Sequence, residues 1–301
     1  FMVGCTGQGR FSVKGGWSGP AVFRDTVYVG SQDGRLWALD ALTGSNVWGN
    51  SFPTKDKDAL GPILYGTPAV DEERVYFGTY NGKFEEVDTD DGRVFALDAA
   101  SGKVAWAKPF VVNGHIIGGP TLAGREQCIS ATGALVPGDV LLVGSTEGRV
   151  YALCAGDGSL SWQFPGLAPI GALAGIGEVW TSPTVDGDLV YFGTLNHRLY
   201  AVNLDRGNQQ WSFNAGGAIV AAPVVAGGKV FFGALDGKFY AVDARSGTPE
   251  WIEPFKNDNW FWASAVADDK QVYAIDTGGK IYGLDLDTGF LHWEGDAGGM
   301  V

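Results

Sequence analysis

Histidine, cysteine and methionine are almost missing from this chain: three, three and two in 301 residues. So few imidazoles and thiols exclude a zinc site of the Cys/His type and a framework of several disulfides. His115, His197 and His292 share no ligand spacing. Cations are also scarce, with Lys+Arg at 21 against Asp+Glu at 34 and a net charge of −13. Phosphate backbones are bound by clustered Lys and Arg, so nucleic acid is excluded as a partner. No stretch approaches the roughly 18 apolar residues that span a bilayer. G-x-S-x-G, H-E-x-x-H and G-x-x-x-x-G-K-[ST] are all absent. No catalytic, cofactor-binding or metal-binding residue is therefore assigned, no cofactor is expected, and the chain reads as a non-enzyme.

Glycine, in contrast, is plentiful. The 47 glycines, with 45% hydrophobic and 13% aromatic residues, describe a folded chain with many tight turns. The stretch VYVGSQDGRLWALDALTGSNVW at 27–48 returns as VFFGALDGKFYAVDARSGTPEW at 230–251, and sliding it along the chain finds six copies. The copies close on Trp48, Trp106, Trp162, Trp211, Trp251 and Trp293, at separations of 58, 56, 49, 40 and 42 residues. The unit is fixed while its connections carry insertions.

Each copy alternates β-branched and aromatic residues around an Asp-Gly or Asn-Gly turn, the signal of a hairpin. A second turn, as in DALTG at 40–44, places glycine where positive φ is needed. A further strand precedes each copy, marked by GPAV at 19–22, TPAV at 67–70, GPTL at 119–122, SPTV at 182–185, APVV at 222–225 and ASAV at 263–266. Each unit thus has four strands, a to d in chain order. Four-stranded sheets repeating every ~40–50 residues predict an all-β fold, a β-propeller of six blades, with seven or eight if the chain is incomplete. A solenoid is the structural alternative, with shorter repeats as a rule.

The segment A-x-D-x-x-T-G-x-x-x-W resembles the tryptophan-docking motif of the pyrroloquinoline-quinone-type propeller repeat. Ala38, Asp40, Thr43, Gly44 and Trp48 match it in full; Ser101 and Ser246 replace Thr in the second and fifth copies. Cys154 and Asn203 replace Asp in the third and fourth, and Gly283 replaces Ala in the sixth. The resemblance covers roughly residues 17–295. It implies that the six tryptophans dock between neighbouring blades and close a ring. Quinoprotein dehydrogenases of this kind place an adjacent Cys-Cys pair beside the quinone, and no such pair occurs here. The likeness is therefore closest to the BamB-like non-catalytic scaffold lipoproteins.

In a propeller the d–a and b–c connections share one face, and the a–b and c–d turns share the other. The first face receives the acidic insertion KFEEVDTDDG at 83–92, containing Glu85, Glu86 and Asp88. It also receives FPGLAPIGALAGIG at 164–177, which has no charged residue and carries Leu167, Ile170 and Leu173. An uncharged surface loop either plugs the channel mouth or meets a partner. These six residues are the candidate partner contacts. In NWFWAS at 259–264, strand alternation puts Trp260 and Trp262 on one side, and packing between blades is the expected use.

Cys128 lies in the a–b loop of the third unit, and Cys154 ends its strand c near the same face. A disulfide is compatible with that placement, as are two thiols. The opening FMVGC resembles the end of a bacterial lipoprotein signal, with Cys5 as the lipid attachment site. A second alignment sets FMVG against VYVG of the repeats, as a strand of another blade. The expected organisation is a tether at 1–16 and a propeller at 17–301. The expected function is a non-catalytic, extracytoplasmic scaffold, periplasmic or at the cell surface and held on the membrane as a lipoprotein. It would bind other proteins of a membrane or envelope complex. Two alternatives stand beside it: a quinone-dependent oxidoreductase or electron-transfer subunit, and a carbohydrate- or peptide-binding receptor.

Overall fold

Alternating apolar residues interrupted by glycine turns fold each copy of the repeat into one antiparallel sheet. The computed structural model describes residues 18–31, 33–52, 64–80, 82–84, 87–89, 91–166 and 176–298, with the backbone alone at 82–84 and 87–89. The third sheet is the fullest example: Thr121–Ala123, Val140–Ser145, Arg149–Cys154 and Leu160–Phe164, hydrogen-bonded in that order. The fourth (Thr184–Asp186 to Gln209–Asn214), the fifth (Val224–Ala226 to Phe255–Lys256) and the sixth (Val266–Ala267 to Leu291–Asp296) repeat this order. So does the second, from Ala69–Val70 to Phe110–Val111. The first sheet differs, with three strands: Ala21–Phe23, Thr26–Gly30 and Leu36–Asp40. Its fourth segment makes only isolated bridges, Leu39 to Asn46 and Leu36 to Phe52. Gly49, at φ 76°, bends the chain between them.

The sheets are arranged as in a propeller. Each inner strand contacts the inner strand of the next sheet, from the first to the sixth. Hydrogen bonds tie these inner edges: Thr121 Oγ1 donates to Pro183 O at 2.6 Å, and Thr184 Oγ1 to Pro223 O at 2.6 Å. The core is not one mass. It divides into five apolar clusters, each shared by two consecutive sheets.

The tightest feature of each joint is the tryptophan and the glycine beneath it. Trp48 Nε1 donates to Ala99 O of the second sheet at 2.9 Å, and Trp106 Nε1 to Ala155 O of the third at 2.9 Å. Trp162, Trp211 and Trp251 repeat the bond to Leu204 O, Ala244 O and Leu286 O at 2.6, 3.0 and 3.3 Å. Under each ring lies the motif glycine of the following sheet. A Cβ added at Gly102 would stand 2.6 Å from the Trp48 ring, and one at Gly247 2.5 Å from the Trp211 ring. That glycine also has positive φ, 67° at Gly102 and 71° at Gly247, so two demands converge on the residue without a side chain. The expectation of six such contacts needs correction at the last. Trp293 is 43% exposed and its indole lies over Gly283 of its own sheet. No glycine of a following sheet lies beneath it among the described residues.

The c–d turns are locked from within. Ser101 Oγ and N both donate to Asp98 Oδ1, at 2.6 and 2.7 Å, and Asp40, Asp243 and Asp285 hold Thr43, Ser246 and Thr288 in the same way. The hydroxyl bond first, and the backbone bond second, hold these four carboxyls below their ordinary range. A carboxyl depressed in the folded state stabilises at pH above the unfolded value, about 4, and loses that contribution as pH falls through the folded value. Urea midpoints should therefore be level from pH 7 to 5 and decline below about pH 4. Asp243→Asn should make the decline shallower, and an unchanged slope would remove these turns as its source.

Candidate functional site

No convergent catalytic group is found among the described residues. The three histidines sit in separate places: His115 Nδ1 is 2.7 Å from Tyr80 O, His197 occupies a turn at φ 64°, and His292 Nε2 is 3.4 Å from Asp285 Oδ2. No group of three His, Cys, Asp or Glu side chains is placed to hold a metal among the described residues. The buried carboxylate Asp276 is fully engaged. Burial alone would raise its pKa, yet the Lys280 amide, Asn259 and the Tyr282 hydroxyl together hold it low. Its Oδ2 accepts from Asn257, Asn259 and Tyr282 at 2.8, 3.1 and 2.9 Å. This network fastens the connection at 257–259 to the sixth sheet and leaves no free oxygen for a substrate. An open cleft of about 490 Å³ on the a–b and c–d face is lined by Glu72, Glu73, Arg74 and Asp98, without a nucleophile.

What the d–a and b–c face does collect is aromatic surface. Tyr80 stacks on His115 with ring centroids 4.0 Å apart, and Tyr65 meets Tyr80 edge-on at 5.4 Å. Trp180 is half-buried and its Nε1 donates to Glu178 Oε2 at 2.8 Å. Trp260 and Trp262 are 54% and 39% exposed. This corrects the expectation that these two indoles pack between sheets. The segment is not a strand, and Phe261 takes the buried slot against Phe239 and Tyr282. Tyr65, Ile117, Trp180, Val220 and Trp262 occupy one repeat position, three residues before the Pro or Ala that opens each inner strand. Extending the TPAV and SPTV alignment three residues upstream would have found them; the alignment stopped at the strand.

Of the six partner-contact candidates named from sequence, only Asp88 is among the described residues. Leu167, Ile170, Leu173, Glu85 and Glu86 lie outside the described residues, as does Cys5. Asp88 is in the strand Val87–Thr89, which pairs with Gly82–Phe84, so the acidic insertion is a two-stranded hairpin. On the opposite face Cys128 and Cys154 are joined as a disulfide with Cα atoms 5.4 Å apart. Both are buried in the cluster between the third and fourth sheets. The two thiols are thus engaged with each other, and no adjacent cysteine pair is present to flank a quinone. The residues present do not fit the quinone site that the repeat's enzymatic relatives imply.

Comparison with known proteins gives the following. The model of the family described as outer membrane protein assembly factor BamB matches residues 7–212 and 172–299. The solved structure of BamB from Moraxella catarrhalis superposes with a TM-score of 0.67 at 17% identity, over 93% of this chain and 75% of that one. The quinoprotein ethanol dehydrogenase of Pseudomonas putida is 30% identical over 160 residues, 50% of this chain and 23% of that enzyme. The quinohemoprotein alcohol dehydrogenase ADH-IIG of the same organism is 39% identical over 88 residues, 29% of this chain and 11% of that enzyme. The chain thus spans less than a quarter of the length of either dehydrogenase.

Proposed function

Because the chain belongs to the outer membrane protein assembly factor BamB family, we propose that it is a non-catalytic propeller scaffold that binds other proteins of an envelope complex. The observation that carries this reading is the placement of Tyr65, Trp180, Trp260 and Trp262 on the d–a and b–c face, where no catalytic constellation accompanies them among the described residues. Indoles at a surface offer large rigid contact area at small entropic cost, and such residues anchor protein interfaces. The strand order leads us to expect the connections carrying Leu167, Ile170 and Leu173, and Glu85, Glu86 and Asp88, on the same face, and in this reading they extend the surface.

The setting proposed is extracytoplasmic, in the periplasm or at the cell surface. The Cys128–Cys154 disulfide supports an oxidising compartment. Lipidation of Cys5 would tether the scaffold to a membrane surface. The discriminating experiment combines Trp260→Ala and Trp262→Ala with Leu167→Asp, Ile170→Asp and Leu173→Asp. Co-purification of partners from native membranes should be lost while the thermal melt is unchanged; association at the original level would remove the proposal. An absorbance spectrum of the purified protein separates the oxidoreductase reading, because a bound quinone has its own chromophore. The exposure of Trp260 and Trp262 also favours a second reading, a stacking receptor for sugars or peptides, which a glycan and peptide array would detect.

A further inference from the structure

The repeat departs from its own pattern at one buried position on the d–a and b–c face. The residue that closes strand b is Ser31, Thr79, Ser145, Thr194 and Ala234 in the first five sheets and Asp276 in the sixth, and all six are 3% exposed or less. The hydroxyls hold the b–c turn: Ser31 Oγ, Thr79 Oγ1 and Thr194 Oγ1 accept from the amides of Arg35, Arg93 and Arg198 at 3.3, 3.0 and 3.4 Å. Asp276 Oδ1 does the same for the Lys280 amide at 3.0 Å. Its second oxygen is surplus to the turn, and a buried carboxylate is costly unless donors satisfy it.

That oxygen holds a loop. The Asn257 and Asn259 side chains converge on it, Asn257 Nδ2 also reaches the Tyr282 hydroxyl at 3.0 Å, and the Asn259 amide donates to Asn257 Oδ1. Backbone bonds complete the hold. Asn257 N donates to Gly237 O at 2.9 Å and Phe261 N to Ala234 O at 3.4 Å on the fifth sheet, and Thr277 N of the sixth donates to Trp260 O at 2.8 Å. The segment 257–261 therefore lies over the joint of the fifth and sixth sheets and is tied to both. What it displays is bare. Trp260 is 54% exposed, and its ring and Nε1 have no partner among the described residues. The Asp258 carboxylate is exposed, with neither ion pair nor hydrogen bond among them.

We propose that Asp258 and Trp260 form a pre-organised site for an arginine side chain of a protein partner, with Asp276 as its positioning residue. The inference deepens the scaffold reading above and rests on it. A guanidinium is planar, so it stacks on an indole face and keeps its edge donors for a bidentate pair with a carboxylate. Lysine brings a point charge without a flat face. A sugar ring needs donors and acceptors for its hydroxyls, and both side-chain amides of the loop are already committed to Asp276. The net charge of −13 draws basic partners toward the surface. A loop fixed before binding does not lose that freedom on association, which is what a buried carboxylate beneath it supplies.

The test titrates the full chain, isotope-labelled at tryptophan, with acetyl-Gly-Arg-Gly-amide, its lysine counterpart and methyl β-glucoside. Indole resonances are read by nuclear magnetic resonance, and Trp260 is assigned by its loss in Trp260→Ala. The Trp260 resonance should shift saturably with the arginine peptide, about fivefold more weakly with the lysine peptide, and not at all with the glucoside. Asp258→Asn should weaken the arginine peptide by at least about fivefold at an unchanged thermal midpoint. Lys256→Ala, which removes the cation nearest the loop in sequence, should not weaken it. Asp276→Ser should fold, since serine holds the same position in the first and third sheets. It should broaden or double the Trp260 resonance, leave that of Trp211 in place and weaken the arginine peptide; a sharp resonance with full affinity would remove the positioning role. No response to the arginine peptide, equal binding of the lysine peptide, or full affinity in Asp258→Asn would overturn the proposal. A response to the glucoside alone would replace it with the sugar-receptor reading. The scaffold reading stands or falls separately, on co-purification with the tryptophan variants.

Discussion

Replacing Trp211 by alanine is expected to cost about 3–5 kcal/mol of folding stability, whereas Trp293→Ala is expected to cost less than about 1 kcal/mol. The two residues occupy the same repeat position and differ only in what surrounds them. Trp211 is 8% exposed, packs against Tyr191 and the fifth sheet, donates to Ala244 O and covers Gly247. Burying an indole removes about 150–250 Å² of surface from water, worth about 4–6 kcal/mol at about 25 cal/mol per Å². Alanine would leave a cavity at a joint whose glycine cannot fill it, and Ala244 O would lose its indole donor while keeping Tyr191. Trp293 is 43% exposed, rests only on Gly283 and Tyr273 of its own sheet and has no indole acceptor among the described residues, so its removal deletes less. Urea titrations of both variants followed by far-ultraviolet circular dichroism supply the comparison. Equal losses at the two sites would refute the assignment of stability to the filled joints.

Loss of the disulfide should be nearly as damaging. The bond closes a segment with a sequence separation of 26, for which the chain-entropy account gives about 3.5 kcal/mol, within the usual range of about 2–4. It ties the hairpin of Gln127–Ile129 and Leu135–Pro137 to the end of strand Arg149–Cys154. Cys154 stands where four other sheets have the aspartate that locks the c–d turn. There Asp157 takes over part of that work, accepting from Ser159 N and Oγ at 2.9 and 2.7 Å. The covalent link thus anchors the same turn from outside. The double variant Cys128→Ser and Cys154→Ser should show a lowered urea midpoint that a reductant does not lower further. The native chain should approach that midpoint only when reduced while unfolded, because both sulfurs belong to buried residues. A variant as stable as the native chain would show that the hairpin needs no staple.

The repeat, its strands and the positive-φ glycines of its turns were legible in the sequence, because each is a local pattern written six times; that the glycine of the following sheet supports each indole was not, because that partner lies one repeat away. The resemblance to the docking motif placed Trp48, Trp106, Trp162, Trp211 and Trp251 in joints, where the structure has them. The fate of Trp293 could not be read that way. Its motif is intact apart from Gly283, and what lies beyond its own sheet, not the motif, decides whether it is covered. Trp260 and Trp262 misled for a different reason. Alternation assumes a strand, but Asn257 and Asn259 bind Asp276 and hold the segment as a loop. The short outer strand of the fifth sheet was likewise hidden: Pro249 lacks the amide that would extend it, and Val242 makes only an isolated bridge there. For the interaction face, composition pointed to a surface but not to the aromatic position shared by Tyr65, Trp180 and Trp262.

The division of the interior into five separate clusters has a consequence for how this molecule comes apart. Each sheet is supported by its immediate neighbours and by nothing more distant, so cooperativity is transmitted joint by joint, as in a linear array. Opening one joint loosens the two sheets that share it before any other, and the first sheet, with three strands among the described residues, has the fewest to lose. Denaturation then spreads from the weakest joint through partly melted species, rather than in the single step typical of a small domain with one core.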